Sequence, residues 1–404
     1  MEKIFKLLIY SLICLICQFP AGKLHAQKEL TKRKTESKLK NISVSAIYQN
    51  GYVFPTNGFV RGINAENDKI KYYQAYILLF SKQTVGKKLW EQLFNYPQYG
   101  LGVYLANFHN PEEIGLPIAA FGYFTAPFHR WKYVSLNYEL GLGVAFNWKK
   151  YSPANTYNIA IGAKKTAYID LGIKTEFKIS DQLTADAGFS LTHFSNGKLK
   201  VPNFGFNTIA PKVGIKYNFS SKSLNFNQQE IPEFKKCNEL FVSFFGGAKN
   251  LLFEKLPVNI KEKYEGVYFP EFGVSTTFNR QINYKSKIGF GGDINYDGSV
   301  NSQVAVDNGE YVVLNTSLAE KFQVSVFLSY TLVVNKFSVI FQPSFYVYRK
   351  KFKNPSPEFY QRIGINYNLY KNLYVGLNLR AFKLSISDFI EWNIGYKLNW
   401  RKSN

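Results

Sequence analysis

The chain has 404 residues, a formal net charge of +22 and an aromatic content of 17%, with 36 Phe and 29 Tyr. Its three cysteines include Cys14 and Cys17 in the first apolar run, which leaves Cys237 alone and excludes a disulfide framework or a Cys-based metal site. Beyond that first run, no apolar stretch reaches the ~18 residues that a membrane-crossing helix needs.

The N-terminus reads as an export signal. Lys3 and Lys6 precede an apolar run from Leu7 to Phe19, and Leu24-His25-Ala26 offers a small residue for cleavage. Residues 1–26 are therefore expected to be removed, and the Lys-rich segment 27–40 to be flexible. Strand-like segments then recur at about 42–49, 71–83, 98–107, 117–127, 134–148, 166–178, 183–195 and 207–219. Most approach the ~9–11 residues of a tilted spanning strand. Asn50-Gly51 and Ser180-Asp181 read as turns between them. Val85 to Phe94 reads as a short helix or a loop.

A polar stretch with Pro232 marks a linker over 220–237. The pattern restarts in 238–404, with strands expected at about 239–249, 265–279, 285–296, 321–333, 336–348, 358–369, 372–384 and 389–400. The two halves share short sequences in the same order. Leu171-Gly-Ile-Lys-Thr-Glu-Phe177 aligns with Ile363-Gly-Ile-Asn-Tyr-Asn-Leu369, and Gly188–Phe194 with Gly376–Phe382. Val213-Gly-Ile-Lys-Tyr-Asn-Phe219 aligns with Ile394-Gly-Tyr-Lys-Leu-Asn-Trp400. Three such matches near the end of each half point to a duplication.

An exported, aromatic-rich, helix-poor chain with this pattern is expected to be all-β. A transmembrane antiparallel β-barrel fits better than a soluble sandwich. About eight strands per half allow two tandem barrels or one larger barrel. The bacterial outer membrane is the expected location. Nucleic acid is not an expected partner of an exported basic chain; outer-membrane lipids with anionic head groups are.

Strand faces carry the functional argument, because side chains alternate sides with period two. In 183–195 the odd positions are Leu183, Ala185, Ala187, Phe189 and Leu191, and the even positions are mainly polar. His193 and Ser195 continue the apolar, outward face. In the next segment Ile209, Pro211, Val213 and Ile215 share a face that Asn207 begins. With short turns on the periplasmic side, the 196–206 loop is extracellular. His193, Ser195 and Asn207 then meet on the outer face of one hairpin, near the outer leaflet. A Ser hydroxyl becomes a nucleophile when a base takes its proton and a third group orients that base. The arrangement assigns Ser195 as nucleophile, His193 as base and Asn207 as orienting group. Asn196, or backbone N–H groups of the loop, would hold the oxyanion. Lys198 and Lys200 would hold an anionic head group. No metal or other cofactor is expected. The bland reading is a pair of polar residues where a strand leaves the hydrocarbon.

His193-Phe194-Ser195-Asn196-Gly197, followed by Pro202-Asn203-x-Gly205, resembles the active-site hairpin of outer-membrane lipid A 3-O-deacylases, the acyloxyacyl-hydrolase-like family. Asn95–Phe108, Ile114–Pro127 and Asn158–Gly172 extend the resemblance, and the ending Ile390-Glu-Trp-Asn-Ile-Gly395 is similar to that of long members. The resemblance implies a barrel that hydrolyses the 3-O-acyl ester of lipid A in lipopolysaccharide, with Ser195 and His193 in the family's roles and Asn196 and Asn203 near the oxyanion. It implies a Glu at position 207, where this chain has Asn; a slower enzyme or a changed substrate is expected. Ala381 and Lys383 stand where His193 and Ser195 would fall in the second half, which is therefore read as a degenerate repeat. The alternative is a catalytically inactive barrel serving as channel, scaffold or adhesin. A homodimer is compatible with either.

Overall fold

The computed structural model describes residues 40–220, 225–251, 266–309, 315–353, 355–384 and 386–400. The expected leader 1–26 and residues 27–39 of the N-terminal segment lie outside the described residues, as does part of the linker.

The first half is one closed antiparallel barrel. Strands β1 (Ile42–Val53), β2 (Tyr72–Gln83), β3 (Gln98–Asn107), β4 (Gly115–Arg130), β5 (Val134–Trp148), β6 (Thr166–Lys178), β7 (Leu183–Ser195) and β8 (Phe206–Asn218) pair in chain order, and β8 closes on β1. Helix α1 (Leu89–Leu93) lies between β2 and β3. The second half repeats the plan with β9 (Cys237–Lys249), β10 (Phe269–Gln281), β11 (Ser286–Asp297), β12 (Phe322–Val334), β13 (Phe337–Tyr348), β14 (Phe359–Tyr370), β15 (Leu373–Phe382) and β16 (Ile386–Trp400), and β16 closes on β9. Helices α2 (Val300–Asp307) and α3 (Leu318–Lys321) lie between β11 and β12. A single larger barrel is excluded, because β8 hydrogen-bonds back to β1. The matched sequences fall on equivalent strands, β6 with β14, β7 with β15 and β8 with β16.

Both barrels are inside-out relative to a soluble protein. On β7, Thr184, Asp186, Ser190 and Thr192 are buried in the lumen, while Phe189 and Leu191 are exposed outward. That polarity suits a wall between hydrocarbon and a polar interior. Eight strands leave a lumen just wide enough for side chains. In the first barrel Lys174 bridges Glu139 and Glu176, each at 3.1 Å, while Lys212 pairs with Glu139 and Lys216 with Glu176. In the second, Arg362 pairs with Asp293 at 2.8 Å and Glu391 at 2.7 Å, and Arg380 with Glu391 at 2.8 Å. These pairs satisfy charges that would otherwise be costly to bury.

The short connections 131–133 and 179–182 lie at one end of the first barrel, and the long loops 54–71, 149–165 and 196–205 at the other. One turn departs from the sequence expectation. Asn50-Gly51 is not a turn but continues β1, opposite Gln74 and Tyr73. Gly51 serves close packing: a Cβ there would lie 2.3 Å from the Ile209 carbonyl oxygen.

Candidate active site

The strand ladder brings the three polar residues together. His193 and Asn207 are directly opposed partners of β7 and β8, and Ser195 is opposite Ala167 of β6. The residue between His193 and Ser195 is Phe194, which turns inward and is fully buried. It packs with Tyr104, Trp148 and Tyr168, and Trp148 stacks on Phe206 at 5.9 Å. Phe194 and Phe206 are ladder partners directly beside the His193–Asn207 pair. An aromatic layer thus plugs the outer end of the lumen and fixes the backbone behind the polar face.

The outward side chains form a continuous relay. His193 Nε2 lies 2.9 Å from Ser195 Oγ, and His193 Nδ1 lies 2.7 Å from Asn207 Oδ1. With Nδ1–H donating to the Asn207 oxygen, Nε2 is left free to accept the Ser195 hydroxyl. His193 is half-buried and Ser195 is buried under the loop that follows it.

That loop is built by glycines. Gly197 adopts φ +60° and Gly205 φ +70°, a region that other residues rarely occupy. The turn at Gly197 sets its N–H as a donor to Ser195 Oγ across 3.5 Å, which places a backbone donor beside that hydroxyl. The two asparagines hydrogen-bond within the loop. Asn196 uses its side chain to accept from the Lys200 N–H and to donate to the Lys200 carbonyl, and Asn203 Oδ1 accepts the Asn196 N–H at 2.9 Å. Both side chains are thus engaged in bonds within the loop.

Neighbouring loops hold this one in place. Asn57 Nδ2 donates to the Gly205 carbonyl at 3.1 Å, and the Phe204 and Gly205 N–H groups donate to Ile159 and Ala160. Gly162 abuts the 196–205 loop so closely that a Cβ would sit 2.2 Å from the Pro202 carbonyl oxygen. This contact brings Lys164 and Lys165, both exposed, to the same rim as exposed Lys200; Lys198 is half-buried. Lys164, Lys165 and Asn57 were not legible as site residues, because only loop packing places them here. In the second barrel, Ala381 is buried at a β-bulge and Lys383 lies in a turn at φ +51°. Among the described residues there, no Ser–His relay is present.

Residues 75–216, which hold all three relay residues, match the lipid A 3-O-deacylase family, and residues 238–400 match the acyloxyacyl hydrolase C-terminal domain. The chain belongs to the lipid A 3-O-deacylase family. The two matches together span more than half of it, one per barrel, and the outer-membrane location follows from the family and from the lipid-facing walls. No curated protein matches this deacylase-family chain. Solved porins align along most of it without superposing. OpdK of Pseudomonas aeruginosa shares 8% identity over 89% of this chain and 99% of its own, with a TM-score of 0.23. OccK5 (OpdH) of the same organism shares 10% over 89% and 98%, with a TM-score of 0.21. A mutant Rh. blastica porin shares 7% over 88% and 99%, with a TM-score of 0.16. Scores this low carry no functional argument, and the fold rests on the strand pairing itself.

Proposed function

We propose that the first barrel is a serine esterase that removes the 3-O-linked acyl chain of lipid A from the outer leaflet. The observation that carries this reading is the relay from Asn207 through His193 to Ser195 on a lipid-facing wall, with the Gly197 N–H beside the nucleophile.

The chemistry follows from the geometry. Ser195 Oγ attacks the ester carbonyl carbon while its proton passes to His193 Nε2. The carbonyl oxygen gathers charge and accepts the Gly197 N–H. Collapse breaks the bond to the sugar oxygen, which takes the proton from His193 and leaves as a hydroxyl. Water then adds to the acyl-serine, with His193 again as base, and the fatty acid departs. Asn207 touches no substrate; it is a positioning residue that fixes the imidazole tautomer. Lys164, Lys165 and Lys200 at the rim suit a phosphorylated head group.

The alternative of a channel finds less support. The described lumen of each barrel is crossed by buried ion pairs. A scaffold or adhesin would not need a relay on the lipid face. The test is expression in a bacterium with intact lipid A, read by lipid A mass spectrometry. Loss of one hydroxyacyl chain is expected. Ser195→Ala and His193→Ala should each lower the rate by about six orders of magnitude. An unchanged lipid A with folded wild-type protein would overturn the proposal.

A further inference from the structure

The two barrels stand side by side and touch at both ends. At the outer end, Gly197 of the loop after Ser195 lies against β15 and β16. A Cβ at Gly197 would sit 2.5 Å from Ile390 and 3.7 Å from Leu379, which are ladder partners on the outer wall of the second barrel. The Tyr268 hydroxyl donates to the Leu199 carbonyl at 2.7 Å, and Asn250 Nδ2 donates to the same oxygen at 3.3 Å. At the other end the Lys285 ammonium lies 5.0 Å from the centre of the Phe94 ring.

Between these contacts a cavity of about 1500 Å³ opens. Leu171, Leu191 and Ile209 line it from the first barrel, and Phe337, Val339 and Ile365 from the second. Its lining approaches the relay along two strands. Leu191 is two residues from His193 on the same face of β7, and Ile209 is two residues from Asn207 on β8, a step of about 7 Å along each strand.

We propose that the second barrel is the far wall of the acyl-chain site, and that Val339, Ile365 and Phe337 set the length of chain the enzyme accepts. The proposal rests on the esterase reading above. The occupant is the saturated acyl chain whose ester carbonyl sits at Ser195. The chain descends from the relay into the cleft between the barrels, where one wall would leave half of it against bulk lipid. Ile390, within the sequence motif Ile390–Gly395, links this wall directly to the loop that carries the Gly197 N–H. The second barrel has lost the relay yet remains half of the site.

The test uses the full chain in detergent micelles with a series of acyl esters of increasing length. Val339→Trp and Ile365→Trp narrow the cleft. They should shift the preference to shorter chains, with kcat/KM falling on the order of fourfold for each methylene that no longer fits. Ile365→Ala, which cannot overpack, should shift it to longer chains. Ile294→Trp, on the outer wall of β11 and off the cleft, should leave the profile as in the wild type. An unchanged profile in the cleft variants, with activity intact, would overturn this proposal and leave the esterase reading standing. A uniform loss at every length in folded variants would also overturn it, and so would a bound bulk phospholipid with no effect on the length profile. Wild-type activity no greater than that of Ser195→Ala would instead overturn the esterase reading itself.

Discussion

In the proposed mechanism the rate turns on Asn207. Its oxygen is 2.7 Å from His193 Nδ1 and so holds the useful tautomer, but a neutral amide cannot offset the charge of an imidazolium. A charged acceptor strengthens such a hydrogen bond by roughly 1–2 kcal/mol over a neutral one. Asn207→Glu should therefore raise kcat about tenfold with little change in KM, and Asn207→Leu should lower it; steady-state kinetics on a micellar ester decides. Equal rates for Asn207 and Glu variants would place the orienting group elsewhere. Gly197 offers a second reading at this scale. Its φ of +60° and its contact with Ile390 leave no room for a side chain. Gly197→Ala should cost on the order of tenfold or more in kcat through the displaced N–H, and adding Ile390→Ala should restore part of it. No restoration would mean that backbone strain alone accounts for the loss. His193, Ser195 and Asn207 were legible in sequence because period-two alternation places them on one face. The Gly197 N–H was visible only as one of several loop donors, since backbone direction in a loop is set by contacts from distant segments.

At the scale of the strand, alternation made nearly every element readable, because lipid outside and ion pairs inside impose opposite chemistry on neighbouring residues. The exception, Asn50-Gly51, has the composition of a hairpin turn but extends β1, since Gly51 lets the β8 backbone approach. Helices α2 and α3 went unnoticed; both are short connections that follow no strand period. The lumen networks give this scale its own prediction. Arg362 is buried between Asp293 and Glu391, and Arg362→Met would leave both carboxylates with less compensation. Removing one partner of such a buried pair costs about 3–5 kcal/mol. Heat-dependent gel mobility should show the second barrel unfolding earlier. An unchanged transition would mean that water or Arg380 compensates for the loss.

For the whole molecule, eight strands per half were countable, but one barrel or two was not. Closure depends on whether β8 meets β1 or β9, a pairing between distant segments that no local pattern encodes. The same holds for the cleft, which arises only from how two closed barrels stand together. The duplication was readable on β6, β7 and β8 and their counterparts, and so was the loss of the relay at Ala381 and Lys383. What survives in the second half is a folded wall and an outer strand pair, Leu379 and Ile390, set against the nucleophile loop. The proposed function of the whole molecule depends on Ser195 and His193 cleaving a lipid A ester at the outer leaflet. The most direct measurement is the mass spectrum of lipid A from cells carrying the wild type, Ser195→Ala or His193→Ala, each shown to be folded in the outer membrane. Lipid A shorter by one 3-O-hydroxyacyl chain is expected with the wild type alone; an identical spectrum for all three would rule out cleavage by Ser195 and His193.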